Sequence, residues 1–285
     1  MNNDIEQQLA HYRSQAVWGL GIGIFGAVIA VISLVTFTMP FAVIGVILIF
    51  AGVMLYSRAA SKIKENIGVA VAKKVMDRIF DHYEYFPQDH ISSSIIENTP
   101  IPYLGYYEDI EGNDYIRGQY QGMNFEMSDI HLSRTETTTD SDGHTTTTEV
   151  TVFDGLWFIC DFAKQIRSRI TVSPKPLLSF SKGIQTESTA FNRKFYVESR
   201  NDHDAFYVLT PQMMEKMLQT QQEMNCEFYF VFEQDGVVQI LVNKGNSLEV
   251  SALSRSVSKI EEQFERELGE VTNLIDELKL TDAYR

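Results

Sequence analysis

The chain has 285 residues, and its 24 Lys/Arg against 38 Asp/Glu give a formal charge of −14 that is divided unevenly. Residues 1–80 hold seven basic and four acidic side chains, or +3, which leaves 24 − 7 = 17 basic and 38 − 4 = 34 acidic, or −17, for residues 81–285. An acidic domain of that size repels polyanions, so a nucleic-acid partner is disfavoured, and two cysteines with no Cys-x-x-Cys or Cys/His cluster speak against a zinc site.

Residues 1–16 are polar, with Ile5, Leu9 and Tyr12 at helical spacing, and read as a short amphipathic helix. From Ser14 to Ser57 no side chain is charged. Two apolar runs, Val17–Phe37 and Phe41–Tyr56, flank a break at Thr38-Met39-Pro40. A spanning helix needs roughly 20 apolar residues, so the pair predicts a transmembrane hairpin over 17–56. A buried hairpin of a soluble protein would need charges on its outer face, and none is present. Arg13 precedes the first run, Arg58, Lys62, Lys64, Lys73 and Lys74 follow the second, and the turn has no Lys or Arg. The excess of positive charge on the flanks puts both termini in the cytoplasm. Gly19, Gly23, Gly26, Gly45 and Gly52 supply small surfaces for close helix approach, within one hairpin or between chains. No ionisable group lies within the spans, which argues against an ion path.

Ile63, Ile67, Ala70, Val71, Val75 and Ile79 recur at helical spacing, so a juxtamembrane helix is expected over 57–84. Its lysines would meet anionic lipid, or simply solvent. The segment Phe80–Tyr107 reads as irregular. Strands are expected at Tyr115–Tyr120 and Met123–Leu132. A long hairpin is expected with arms Asp129–Thr138 and His144–Phe153 about Asp140-Ser141-Asp142-Gly143. Asp154-Gly155 reads as a turn before a central strand, Leu156–Cys160, and Arg169–Val172 as a further strand. Ser179–Glu187 reads as loop and Phe195–Glu198 as strand. Thr210 caps a helix with Pro211 at its first position, running to about Met224 with Met213, Met214, Met217 and Leu218 as its apolar face. Cys226–Glu233 and Val237–Val242 make a hairpin. The stripe from Leu253 to Leu278 is a helix expected to pack on the sheet. The fold class is therefore α+β: an N-terminal transmembrane helical hairpin, then one mainly antiparallel-sheet cytoplasmic domain with flanking helices over 85–285.

Several ordered motifs are familiar. They include Tyr85-Phe86, Ile91-Ser92-x-Ser94, Gly112-Asn113-Asp114-Tyr115-Ile116-x-Gly118 and Ser128-Asp129-Ile130. They continue through Val152-Phe153-Asp154-Gly155-Leu156-Trp157-Phe158-x-x-Asp161-Phe162-x-Lys164, Thr171-Val172-x-Pro174, Phe191-Asn192 and Ala205-Phe206-Tyr207-Val208-Leu209-Thr210-Pro211. Together they resemble the bacterial domain of unknown function 3137 family across roughly residues 60–280. The resemblance implies a two-helix protein of the bacterial inner membrane with a cytoplasmic domain, and no catalytic residues. Ala163 stands where the family pattern has Asn.

No phosphate-cradling Gly-rich loop and no Gly-x-Ser-x-Gly elbow occurs, and no cofactor is implied. Asp161-x-x-Lys164 at the end of an apolar strand reads as a ligand-binding or a structural ion pair. Asp202-His203-Asp204 reads as an acid–base site or as an exposed helix start. Asp129, His131 and His144, with Asp142 nearby, would have to converge across the long hairpin to hold a cation; otherwise they belong to a solvated ribbon. Arg167-x-Arg169 and Arg193-Lys194 are basic islands suited to phosphate, to a partner acid or to solvent. These features predict a membrane-anchored binding domain with the bilayer and a protein partner, or a second copy, as its contacts. The alternative is a membrane-tethered enzyme built near Asp161, Lys164 and His203.

Overall fold

The computed structural model describes residues 2–36, 39–140, 142–176, 183–254, 256–278 and 280. Thr38 of the interhelical break, Ser141 of the hairpin turn and residues 179–182 of the expected loop lie outside the described residues. The chain divides into two compact units, one of Met1–Arg78 with Leu248–Gly269 and one of Ile79–Ser247 with Glu270–Arg285.

The first unit is helical. Helix α1 (Asn2–Thr36) runs without a break through the polar leader and the first apolar run; α2 (Met39–Lys62) carries the second. Both are long and apolar enough to cross a membrane by length and composition. The outward face is bare hydrocarbon, with Trp18 67% and Phe50 72% exposed, a continuous apolar surface of a kind soluble monomers avoid. The two helices meet at glycines. A Cβ on Gly19 would lie 2.8 Å from the Gly52 carbonyl oxygen, and one on Gly26 would lie 2.7 Å from that of Gly45. Both pairs are seven residues apart, Gly19 to Gly26 and Gly45 to Gly52. That spacing is two turns, so it repeats on one face and sets an antiparallel register. Gly23 is in the seam too, since a Cβ on Gly52 would lie 2.5 Å from its backbone nitrogen, whereas a Cβ on Gly21 would meet nothing within 4 Å.

Helix α2 continues through a π-helical turn (Ile63–Gly68) into α3 (Val69–Ile79). Gly68, at the end of that turn, receives Val250: a Cβ there would lie 3.0 Å from the valine Cγ2. Leu9, Ile63, Ile67, Val71, Val75 and Met76 form the interior of this unit with Val257, Ile260, Phe264 and Leu268 of α8 (Val257–Glu277). Glu6 Oε1 accepts the Val257 N–H at 3.0 Å. Lys74 and Arg78 pair with Glu261 at 2.9 and 2.7 Å, and Arg78 also with Glu265 at 2.7 Å. The C-terminal stripe therefore does not pack wholly on the sheet. Its first half joins the helices because the acids on its outer face meet the basic residues of α3, and only its last turns, from Glu270, belong to the second unit.

The second unit is an eight-stranded antiparallel sheet in the order β1-β2-β3-β4-β8-β7-β5-β6, with flanking helices. Its elements in chain order are β1 (His82–Phe86), α4 (Ser93–Glu97), β2 (Asp109–Tyr120), β3 (Met123–Thr139), β4 (Thr145–Asp161) and β5 (Ile170–Pro174). They continue with α5 (Thr189–Lys194), β6 (Phe195–Ser199), α6 (Asp202–Val208), α7 (Pro211–Met224), β7 (Glu227–Phe232) and β8 (Val237–Asn243). The class is α+β, as the sequence predicts. β1 and α4 fall within the segment expected to be irregular. Asp154-Gly155 is no turn: both residues lie inside β4, paired with His131 and Ile130. Gly155 is there because a Cβ would collide with the Val242 carbonyl of β8.

The inner halves of β3 and β4 lie in the sheet. Register shifts between Leu132 and Ser133, and beyond this bulge the strands continue as an exposed Thr-rich ribbon to Thr139 and Thr145. The near-continuous apolar runs in β7, β8 and the second half of β4 mark strands covered on both faces. On one face Ile91, Ile96, Leu104, Ile130, Phe153, Trp157, Tyr229 and Leu241 form a core. Phe228, Phe230 and Phe232 alternate onto the other, their rings stacked along β7.

Candidate functional site

The sheet unit carries a cleft of about 980 Å³. One wall is the loop after α4, with Pro100, Ile101, Pro102, Leu104 and Tyr107; the other is built from the ends of β5, β6 and β7. The loop holds its shape through a buried polar network. The Trp157 indole N–H donates to Gln239 Oε1 at 3.0 Å, Gln239 Nε2 donates to Thr99 Oγ1 at 3.0 Å, and that hydroxyl also lies 2.7 Å from the Ile95 carbonyl. Pro100 and Pro102 fix the backbone on either side of Ile101, and the chain then reverses in a turn that the Leu104 N–H closes on the Ile101 carbonyl at 3.3 Å, with Tyr103 at φ +64°.

Across the cleft Arg169 Nε donates to Glu233 Oε2 at 2.8 Å. Arg169 stays partly open, while Glu233 is mostly buried and its Oε1 has no hydrogen-bond partner. Arg200, Glu198 and Asp235 stand at the rim, with Ser168, Ser199 and Thr171 between. The cleft thus offers an apolar wall, an ion pair opposite it and charges of both signs at its mouth. Such a mixture fixes the orientation of a bound chain or ligand. Arg169 belongs to a basic island visible in the sequence. Its partner acid lies 64 residues on, and no local spacing could have named it.

The four residues singled out for chemistry do not come together. Asp161 accepts from the Asn124 backbone N–H at 3.2 Å and from its side-chain amide at 2.7 Å, and it lines a separate, shallower hollow of about 440 Å³. Lys164 donates to the Tyr207 carbonyl at 3.0 Å and sits 5.1 Å from the centre of that ring, so it caps the end of α6. Burial pulls its ammonium pKa down. Among the described residues no ion pair joins Asp161 to Lys164. Asn201 caps α6 by accepting the His203 N–H at 3.1 Å, and the backbone of that turn, not its imidazole, is what the fold uses. Asp202 is exposed at the same helix start. Its neighbour Asp204 is the structural member: it accepts from the Arg167 and Ser168 N–H groups at 3.0 and 2.9 Å and from Ser168 Oγ at 3.0 Å. Burial pushes its carboxyl up, but these bonds outweigh it and hold the group below its ordinary range.

His131 lies 3.4 Å from Asp154 and 3.7 Å from Glu149, while Asp129 turns into the core. Among the described residues no group of three or more metal-ligating side chains forms. Cys160 and Cys226 are free thiols; burial pushes both up, Cys226 to about 11, away from nucleophilic use.

Fold and site together define an antiparallel α+β domain with a mixed-polarity cleft, preceded in the chain by two membrane-length apolar helices. Residues 151–280 match the family described as "Protein of unknown function (DUF3137)", which bears out the resemblance seen in the sequence motifs. No curated protein matches the chain. A crystal structure of the mycobacterial trehalose monomycolate transport factor A, TtfA, is similar at 12% identity over 74% of this chain and 95% of that one. The TM-score is 0.36.

Proposed function

We propose that this protein is a membrane-anchored, noncatalytic binding domain whose cleft between the Pro100–Tyr107 loop and the ends of β5–β7 takes a protein partner. The cleft carries this reading: its volume is about 980 Å³, and its apolar wall faces a half-open Arg169–Glu233 pair. The anchor is read from the charge-free helices α1 and α2. The orientation follows the basic flanks, +3 over residues 1–80 against −17 beyond, which favour termini on the cytoplasmic side of a bacterial inner membrane. The acidic domain then stands away from anionic headgroups and from nucleic acid.

A photo-cross-linking residue placed at Arg200, with Thr147 on the ribbon as control, tests the cleft in native membranes. The reading expects a discrete adduct from position 200 that is lost when Arg169→Glu reverses the charge opposite the apolar wall. An adduct of twice the chain's own mass identifies a second copy as the partner. The absence of any adduct specific to position 200 sinks the proposal. A reporter fused after Arg285 tests the orientation separately: activity on the far side of the membrane overturns it.

A further inference from the structure

Three buried side-chain polar atoms among the described residues have no hydrogen-bond partner: Asp129 Oδ1, Ser173 Oγ and Glu233 Oε1. Asp129 is set beside a second buried carboxylate. Asp129 is 4% exposed and Asp114 3%. Both sit where β2 bulges between Asn113 and Ile116, opposite β3, with Asp114 at φ +57° and Asn113 paired to Asp129 across the strands.

The two acids are served differently. The Tyr85 hydroxyl donates to one oxygen of Asp114 and the Asn113 amide to the other. Asp129 Oδ2 accepts the Ser247 N–H at 2.8 Å, and Oδ1 accepts nothing. Asn246 Nδ2 donates to Asn113 Oδ1 at 3.2 Å, so both acids tie the segment after β8 to the bulge. The surroundings are tight: a Cβ on Gly112 would lie 2.6 Å from the Asp129 carbonyl and 2.7 Å from His90 Cβ. The titratable neighbours are Tyr85 on β1, His90 before α4, Asp114 on β2 and Lys244 after β8.

Two adjacent anions buried in low dielectric repel, and a buried acceptor left bare costs about 1–3 kcal/mol. An oxygen with under 1 Å² of accessible surface leaves no room for a bound water, and among the described residues no third metal ligand converges here. A proton needs no room. We infer that Asp114 and Asp129 form a carboxylate–carboxylic acid pair holding one proton at neutral pH, carried by Asp129, and that losing it unlatches the Lys244–Ser247 segment. Asp114, with a donor on each oxygen, is the anion. Burial first and the Asp114 charge second push Asp129 well above the ordinary carboxyl range, opposed by Ser247 and Lys244. The sign follows: a folded value raised above the unfolded one gives stability that is complete at low pH and lost as pH rises through the folded value.

The test uses the full chain in detergent, isotopically labelled at the aspartate carboxyl carbon. Infrared spectroscopy at neutral pH should show a labelled protonated-acid carbonyl band that vanishes in Asp129→Asn and shifts in Asp114→Asn. No acid band at neutral pH, or one untouched by Asp129→Asn, overturns the pair. The wild type supplies a second readout should the variant not fold. Raising pH should remove the band and the hydrogen-exchange protection of the Ser247 amide together. Protection that persists after the band is gone overturns the latch.

Discussion

Replacing Gln239 by leucine tests the polar network that holds the cleft loop. Trp157 is fully buried on β4, and Gln239 on β8 is 5% exposed. The carboxamide serves two partners, the indole N–H and the Thr99 hydroxyl, and Thr99 keeps its bond to the Ile95 carbonyl when the carboxamide goes. Leucine of similar volume leaves one donor, Trp157 Nε1, buried and unpaired. A bare buried donor costs about 1–3 kcal/mol, and losing the Thr99 bond adds about 1 kcal/mol, so the variant should lose about 2–4 kcal/mol. Trp157→Phe in the same background removes the orphan donor along with the indole, so the double variant should cost less than the sum by about 1–2 kcal/mol. Urea unfolding of the detergent-solubilised chain, followed by circular dichroism, gives all four corners of the cycle. A Gln239→Leu loss below about 0.5 kcal/mol, or strict additivity, would refute the claim that this network organises the loop.

Gly52→Val should destabilise the helical hairpin by about 1–3 kcal/mol through overpacking, since its Cβ would fall 2.5 Å from the Gly19 carbonyl oxygen. Gly21→Val, on a face with nothing within 4 Å, should leave the thermal midpoint in detergent unchanged. Glu261 is held below its ordinary range by the hydrogen bond from Lys74, ahead of the opposing effect of burial and with further help from Arg78. A depressed carboxyl contributes stability above its unfolded value and loses it as pH falls through the folded one. Glu261→Gln should therefore flatten the acid limb of the thermal midpoint, and an unchanged limb would count against that pairing. Replacing residues 137–147 by a two-residue Asn-Gly turn should change stability by less than about 1 kcal/mol, because that outer part of the ribbon is exposed and its two strands pair with each other.

What could be read in the sequence divides by the range of the interaction. The two apolar helices, the Thr210 cap with Pro211 behind it and the β7–β8 hairpin are local patterns, and each stands where its residues put it. β1 was hidden because five residues, His82–Phe86, are too short to show alternation beside Pro87. Asp154-Gly155 carried a turn signal that tertiary packing overrode: the glycine is needed for the approach of β8, not for a reversal of chain. The helix seam was half legible: Gly19-x-x-x-Gly23 was visible and both its glycines receive Gly52, but the pairing of Gly26 with Gly45 two turns away was not. The candidate site was the least legible. Arg169 with Glu233, Trp157 with Gln239 and Asp114 with Asp129 are each joined by strand pairing or packing, not by spacing along the chain. The acids that looked chemical, Asp161 and Asp204, are spent on backbone N–H groups. An exposed-looking Asp in a polar stretch is most often used this way, because a carboxylate is the cheapest acceptor for amides that a turn leaves unpaired. Asp129 is the exception: one of its oxygens has an amide and the other has nothing. That asymmetry appears only after the sheet has brought a second acid against it.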